Sequence, residues 1–448
     1  MSDAECDDFS AYDAGGVTAE HWKVLLISGT GFLADAYDLF IIGVVMHLIG
    51  EAWHPSPVAV GLVTSTALLA SAVGAVLFGR LADMIGRNRV YGYEVLVLAA
   101  GAIASALSPG IGWLIGFRIV LGLGVGGDYP VSSTLMSEYA CTRSRGMMVS
   151  LVFAMQALGL VIGPLLAAAL LATGLGHETV WRLLLAFGAV PALAVFPMRR
   201  RLTETPRFRQ IAERRSQVES FSAGFARLMR RRDLRRRLTG ASLAWFLMDF
   251  AYYGNTVSAP LVLHAIAPVD SLIRQMLTQL LVFLIAAVPG YLVAAAMMDR
   301  IGRKPIQVLG FAMMAASFLA IALIPGIETL IYPFLIIYGI SYFFTEFGPN
   351  ATTFVYPAEL FPVQARSTGH GVASAAGKVG GFIGVFVFPI LLAWNGLPSA
   401  ELAAAVASLA GLGVTAWLLP ETKGLSLESL GAAPPSVPVP VTASAARQ

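Results

Sequence analysis

Twelve stretches of this chain are apolar enough to lie within a bilayer, at residues 23–49, 58–80, 89–108, 112–136, 147–172, 180–198, 239–264, 272–298, 305–325, 329–350, 366–394 and 398–419. A membrane span needs about 20 such residues. Inside lipid no water satisfies the peptide groups, so each span must close its own backbone hydrogen bonds as a helix. The chain is therefore expected to be an all-α membrane protein with twelve transmembrane helices. Composition agrees: 57% of residues are hydrophobic and 13% charged, against about 25% charged in a soluble domain. The two cysteines, Cys6 and Cys141, make neither a disulfide framework nor a metal pattern. The acidic, polar start is not built like a cleavable signal peptide.

Orientation follows from lysine and arginine. The loops after the even-numbered spans hold Arg87 and Arg89, Arg143 and Arg145, the cluster over 199–237, then Arg300, Arg303 and Lys304, and Arg366. The opposite loops around 50–57, 173–179 and 265–270 hold none. Both termini are thus expected in the cytoplasm. Residues 199–237 carry 14 arginines against Glu204, Glu213, Glu219 and Asp233, so 14 − 4 = +10. Such a segment orients the protein and faces anionic lipid; nucleic-acid binding is not expected. The expected divisions are a cytoplasmic N-terminus at 1–22, a six-helix half at 23–198, a basic linker at 199–238, a second half at 239–419 and a cytoplasmic tail at 420–448. The tail beyond about 431, rich in Ala, Pro and Val, reads as disordered.

The chain repeats itself. Asp83, Gly86 and Arg87 recur as Asp299, Gly302 and Arg303, an offset of 299 − 83 = 216. Glu138 precedes Arg145 by seven residues, as Glu359 precedes Arg366. Phe32, Leu33 and Asp35 recur as Phe246, Leu247 and Asp249, an offset of 214. Thr203, Glu204 and Thr205 follow span 6, and Glu421 and Thr422 follow span 12. Two pseudo-symmetric six-helix halves are implied, with a site between them near the midplane.

Five acids fall inside spans: Asp35 and Asp38 on one face of span 1, Glu94 in span 3, Asp128 in span 4 and Asp249 in span 7. Facing lipid they would cost about 12–18 kcal/mol together, so they must face the bundle interior. Each is either a structural partner for an arginine such as Arg118 or Arg182, or a proton carrier, because low dielectric disfavours a charged carboxylate. Trp245, Asp249 and Tyr253 are spaced i, i+4, i+8, which sets an indole, a carboxyl and a phenol on one helix face. Tyr129, Gln156 and Asn350 add polar groups to spans 4, 5 and 10; amides there either bind substrate or join helices. Asn350 follows Gly348 and Pro349, where a helix break is expected. Lys378 lies twelve residues past Arg366, too deep to reach the membrane surface easily.

Gly122, Gly124 and Gly127 spell G-x-G-x-x-G, but dinucleotide binding needs a preceding strand and a βαβ unit. Within a span they are expected to permit close helix contact. His47, His264 and His370 are isolated near span ends and suit packing. No nucleophile–base pair or metal spacing is evident, so neither an enzyme nor a cofactor is expected.

Residues 79–89, GRLADMIGRNR, and 295–305, AAMMDRIGRKP, together with PETKG at 420–424, resemble the signature loops of the major facilitator superfamily. Gly122 to Glu138, residues 343–381 (FFTEFGPNATTFVYPAELFPVQARSTGHGVASAAGKVGG) and GFLADAYDLF at 31–40 resemble one family within it, the phosphate:proton symporters. The resemblance implies the major facilitator fold. It implies phosphate ligands at Tyr129, Gln156, Trp245, Asp249, Tyr253 and Asn350. It implies proton-pathway roles for Asp35, Glu94 and Asp128, and a lysine, Lys378, pairing with an acid across the halves; Asp38 and Asp249, as acids inside spans, are expected to share in the proton coupling. Asp83, Arg87, Asp299 and Arg303 would form gating loops. The short central loop and brief N-terminus suggest a bacterial member in the inner membrane.

The expected function is import of inorganic phosphate with protons by alternating access, in a monomeric unit embedded in the lipid bilayer. The alternatives are a proton symporter of an organic anion or other metabolite, and a membrane sensor that does not translocate.

Overall fold

The computed structural model describes residues 9, 13–214, 220–266 and 271–431. Cys6, Glu219, the loop residues 267–270 and the tail beyond Gly431 lie outside the described residues. Among those described, every regular element is helical.

The first half contains α1 (Ala19–Trp53), α2 (Pro57–Ile85), α3 (Tyr93–Ala106), α4 (Ile111–Tyr139), α5 (Thr142–Ala172) and α6 (His177–Arg199). The second contains α7 (Arg232–Val257), α8 (Leu272–Ile301), α9 (Arg303–Leu323), α10 (Ile331–Leu360), α11 (366–394) and α12 (397–418). The last two run almost continuously and are parted at Asn395 and Gly396, where the backbone leaves helical geometry. Helix ends follow local chemistry. Ser56 accepts from the Ala59 amide at 3.3 Å and Pro57 follows, a favourable start because proline's missing N–H is unneeded there. Gly86 and Gly302 end α2 and α8 with φ of 110° and 109°, left-handed values that glycine tolerates.

The glycine-rich stretch of α4 is a packing surface. A Cβ on Gly126 would sit 1.9 Å from the Ser71 carbonyl of α2, and one on Gly124 would sit 2.4 Å from the Leu98 amide of α3. These glycines let three helices approach backbone to backbone. The halves meet through α2 against α11, where Gly371 abuts the Ala75 carbonyl, and through α1 against α7, where Gly43 abuts that of Val257.

Two expectations need correction. α10 does not end at Asn350. It continues to Leu360 through a π-helical turn over Glu346–Asn350, with Gly348 at φ −98° and ψ −112°. The wider turn accommodates Pro349, which has no N–H to donate. Arg199, counted above with the basic linker, is the last residue of α6 and is fully buried. Charge composition cannot distinguish a solvated arginine from one held by acids of other helices.

Candidate functional site between the halves

Lys378 of α11 forms the polar centre. Its Nζ lies 3.2 Å from Asp249 Oδ2 and donates to the Tyr253 hydroxyl at 2.9 Å, both on α7. The same ammonium sits 4.1 Å from the centroid of the Tyr129 ring of α4, in the other half. Spacing by four brings Trp245, Asp249 and Tyr253 to one face, as the sequence suggested, and Trp245 lies 6.0 Å from Tyr129. Among the described residues Lys378 makes no ion pair with an acid of the other half. Lys378 pairs inside its own half, and it meets the other half at Tyr129, over whose ring the ammonium sits. Lys378, Asp249, Tyr253, Tyr129 and Trp245 are each at most 2% exposed.

Gln156 and Asn350 are also buried. Gln156 opens the second segment of α5, after a break at Met155. Its amide nitrogen, like the Trp245 indole N–H, has no partner of hydrogen-bond geometry among the described residues. Asn350 donates to the Tyr291 hydroxyl at 2.8 Å and to Glu346.

The acids of the first half divide into two sets. Arg199 bridges Glu94 at 2.7 Å and Asp128 at 2.8 Å, while Ser132 also donates to Asp128. Asp35 is buried with neither carboxyl oxygen hydrogen-bonded among the described residues. Asp38 packs against Gly188 of α6, and its backbone carbonyl accepts from Arg118 at 3.0 Å. Arg182 pairs with the nearby Glu178 instead. Thus Arg199 neutralises Glu94 and Asp128, Arg118 is the charged neighbour of Asp38, and Arg182 serves none of the core acids. Glu346 and Glu401 are two more buried acids, in α10 and α12, that sequence reading passed over. Glu401 lies beside Asn255. Their apolar flanks were the available signal.

Aromatic rings cover this centre on both sides. On one side Phe32, Phe153 and Phe354 pack together, with Phe153 stacked on Phe354 across the halves at 4.4 Å. On the other, Phe40 of α1 stacks on Tyr253 at 5.4 Å and 13°. Beyond Phe40 a cavity of about 630 Å³ opens between the halves, lined by Gly43, His47, Thr64, Val257, Pro389 and Trp394 among others.

The opposite end, where Asp13 and Glu428 lie, is locked by a repeated polar network. Asp83 pairs with Arg87 at 3.1 Å, and its carboxylate accepts the Ser367 and Thr368 amides at the start of α11. Asp299 pairs with Arg303 at 2.9 Å and accepts the Gly146 and Met147 amides at the start of α5. Each carboxylate thus caps a helix N-terminus of the other half, where its charge is favourable. Glu138 binds Arg87 at 3.1 Å and, across the halves, Arg366 at 2.8 Å. Its counterpart Glu359 binds Arg303 at 2.6 Å. Thr205 donates to Glu138 and Thr422 to Glu359, both at 2.5 Å. Burial pushes the nearby Glu204 carboxyl up from its ordinary range. Arg207 of the linker ties Asp13 and Glu428 together, at 2.7 and 2.8 Å.

Known proteins resemble this chain over most of its length. The sequence profile of the Major Facilitator Superfamily matches residues 29–356 and 280–446. Inorganic phosphate transporter 1-1 of Oryza sativa subsp. japonica is 33% identical, over 96% of this chain and 97% of its own. Probable inorganic phosphate transporter 1-6 of Arabidopsis thaliana is 32% identical, over 94% and 95%. The proton:xylose symporter XylE bound to 6-bromo-6-deoxy-D-glucose superposes with a TM-score of 0.78 at 19% identity, covering 92% of this chain and 98% of that one. The inward-open conformation of XylE from E. coli gives 0.67 at 19% identity, over 92% and 99%. The chain is a multi-pass membrane protein that belongs to the Major Facilitator Superfamily and, within it, to the inorganic phosphate transporter family.

Proposed function

We propose that this protein imports inorganic phosphate together with protons, by alternating access between halves at 23–198 and 239–419 that rock about the central site. The carrying observation is the sealed group of Lys378, Asp249 and Tyr253 under Tyr129. A buried cation held by a single carboxylate is a place an anion can enter, provided the carboxylate takes a proton. The relatives' names supply the anion. The family is one of transporters and not of enzymes.

In this reading phosphate and a proton arrive from the cavity side past Phe40. Protonation of Asp249 releases Lys378 to the anion, and the neutral carboxyl donates a hydrogen bond to it. Tyr129, Gln156, Trp245, Tyr253 and Asn350 hold the remaining oxygens. The free amide N–H of Gln156 suits that task, and the Trp245 indole N–H lies beside the Asp249 carboxyl. Proton loss from Asp249 returns Lys378 to its partner and ejects phosphate. Asp35 is the entry relay, with Asp38, Glu94 and Asp128 as further members of the pathway. Release requires parting Asp83 from α11, Asp299 from α5 and Arg366 from Glu138, so these are gating contacts. The end carrying the arginines, and with it both termini, is assigned to the cytoplasm, and the transport unit is a monomer in the lipid bilayer of a bacterial inner membrane.

Labelled phosphate uptake into proteoliposomes, with and without an imposed pH gradient, tests this. Uptake must rise with an inward proton gradient and resist unlabelled organic acids. Competition by an organic acid instead of phosphate would assign the site to a different anion. Counterflow of labelled phosphate in proteoliposomes separates a carrier from a sensor, because a pure receptor shows none.

A further inference from the structure

One buried acid lies beside the proposed site and has no part in the scheme above. Glu346 is fully buried in the π-helical turn of α10, one turn before Asn350. No lysine, arginine or histidine forms an ion pair with it among the described residues. The groups facing it come from each neighbouring helix. They are Tyr252 and, farther off, Asp249 of α7, Tyr291 of α8, and Tyr342 and Asn350 of α10 itself. α9 meets the turn at Gly310, whose Cα lies 2.4 Å from where a Cβ on residue 348 would sit. A carboxylate in this setting has hydroxyl and amide donors but no cation.

The hydrogen bonds of Asn350 give the acid a consequence. The Asn350 Nδ2 group donates to both Glu346 and the Tyr291 hydroxyl. An amide carries two N–H donors on one atom, so both are consumed. The amide face left for the substrate then has no donor to offer an anion. An ionised Glu346 accepts only, and so holds the amide in this sense. A protonated Glu346 can donate, and the Asn350 carbonyl oxygen can receive that bond together with one from Tyr291. The amide then turns over, and its NH₂ is presented to the anion.

We infer that Glu346 is a positioning residue for phosphate: by gaining or losing a proton it turns the Asn350 amide between a donor face and a spent one, adding a proton-dependent step to anion binding. The proton comes from the cavity side with phosphate and leaves to the opposite side, so no other reactant is needed. The inference rests on the phosphate–proton reading of the same site. π-Turns recur at functional positions in helices, and here the turn sets Glu346 and Asn350 against one another.

The test is the pH dependence of the phosphate KM in proteoliposomes for wild type, Glu346→Gln, Glu346→Ala and Glu346→Asp. In wild type KM rises with pH. In Glu346→Gln and Glu346→Ala the slope of log KM against pH falls by about one, because one linked proton is removed. Glu346→Asp keeps a titrating carboxyl and keeps the slope. Either of the first two suffices if the other does not fold, judged by a monodisperse profile in detergent. An acid needed only for packing lowers folded yield and leaves the slope of the surviving protein unchanged, which overturns the inference. Failure of wild type to take up or exchange phosphate overturns the phosphate reading itself, and is distinct from a wild type that transports beside variants with unaltered slopes.

Discussion

Lys378 and Asp249 are partners 3.2 Å apart on neighbouring helices of one half, while the lysine's other face touches the Tyr129 ring of the opposite half at 4.1 Å. The charge pair is therefore internal to the second half, and the first half meets it through a π-face. Motion between halves can break the second contact without breaking the first. Anion binding can break the first without moving the halves.

That separation gives the first prediction. Asp249→Asn is expected to abolish uptake driven by a proton gradient and to retain phosphate counterflow. Lys378→Ala leaves Asp249 buried without a cation, at a cost of about 3–5 kcal/mol, and is expected to lose both. The double variant should regain thermal stability but not transport. Proton-driven uptake at wild-type rates by Asp249→Asn would sink the scheme.

Arg199 sits between Glu94 and Asp128, at 2.7 and 2.8 Å. Arg199→Ala strands two buried acids, and a loss of about 3–5 kcal/mol or more is expected. Arg199→Lys should recover only part, because an ammonium lacks the planar fork that reaches both carboxylates. Thermal unfolding in detergent measures this; equal stability of the lysine variant and wild type would show that one contact suffices.

Asp83 holds α11 of the other half through the Ser367 and Thr368 amides. Hydrogen bonds to a charged group contribute about 1.5–3 kcal/mol, so Asp83→Asn should shift the balance by about ten- to a hundredfold toward an open end. Spin labels at the exposed positions 143 and 300 should then gain a longer distance component. An unchanged distance distribution would remove Asp83 from the gate.

Gly126→Val drives a side chain into the Ser71 carbonyl, 1.9 Å from the position of its Cβ. Overpacking of this kind costs about 1–3 kcal/mol, and a sharp fall in folded yield is expected. Gly116→Ala, on the same helix with open space around it, should be neutral. Size-exclusion profiles compare the two, and equal yields would refute a packing role for this stretch.

Much of this fold is visible in the chain itself, because a bilayer imposes length and apolarity on each span. Nine described helices are long and apolar enough to be recognised that way, one of them the joined α11 and α12. α3 and α7 are not among them. α3 has only 14 helical residues, and α7 begins in a run of arginines. Both are nonetheless visible as apolar runs in the sequence, at 89–108 and 239–264. The repeat also marked Asp83, Glu138, Asp299 and Glu359, which occupy matching positions in the folded protein.

Helical spacing by four determined that Trp245, Asp249 and Tyr253 share a face, since that relation is local and needs no partner. Pairing is not local. That Arg199 neutralises Glu94 and Asp128 across 105 and 71 residues, that Lys378 takes Asp249 rather than Asp35, and that Glu346 meets the Asn350 amide were decided by tertiary structure. At low dielectric each buried charge binds whichever opposite or polar group the helix packing brings within about 3 Å, and a one-dimensional pattern lists the candidates without the distances that choose among them.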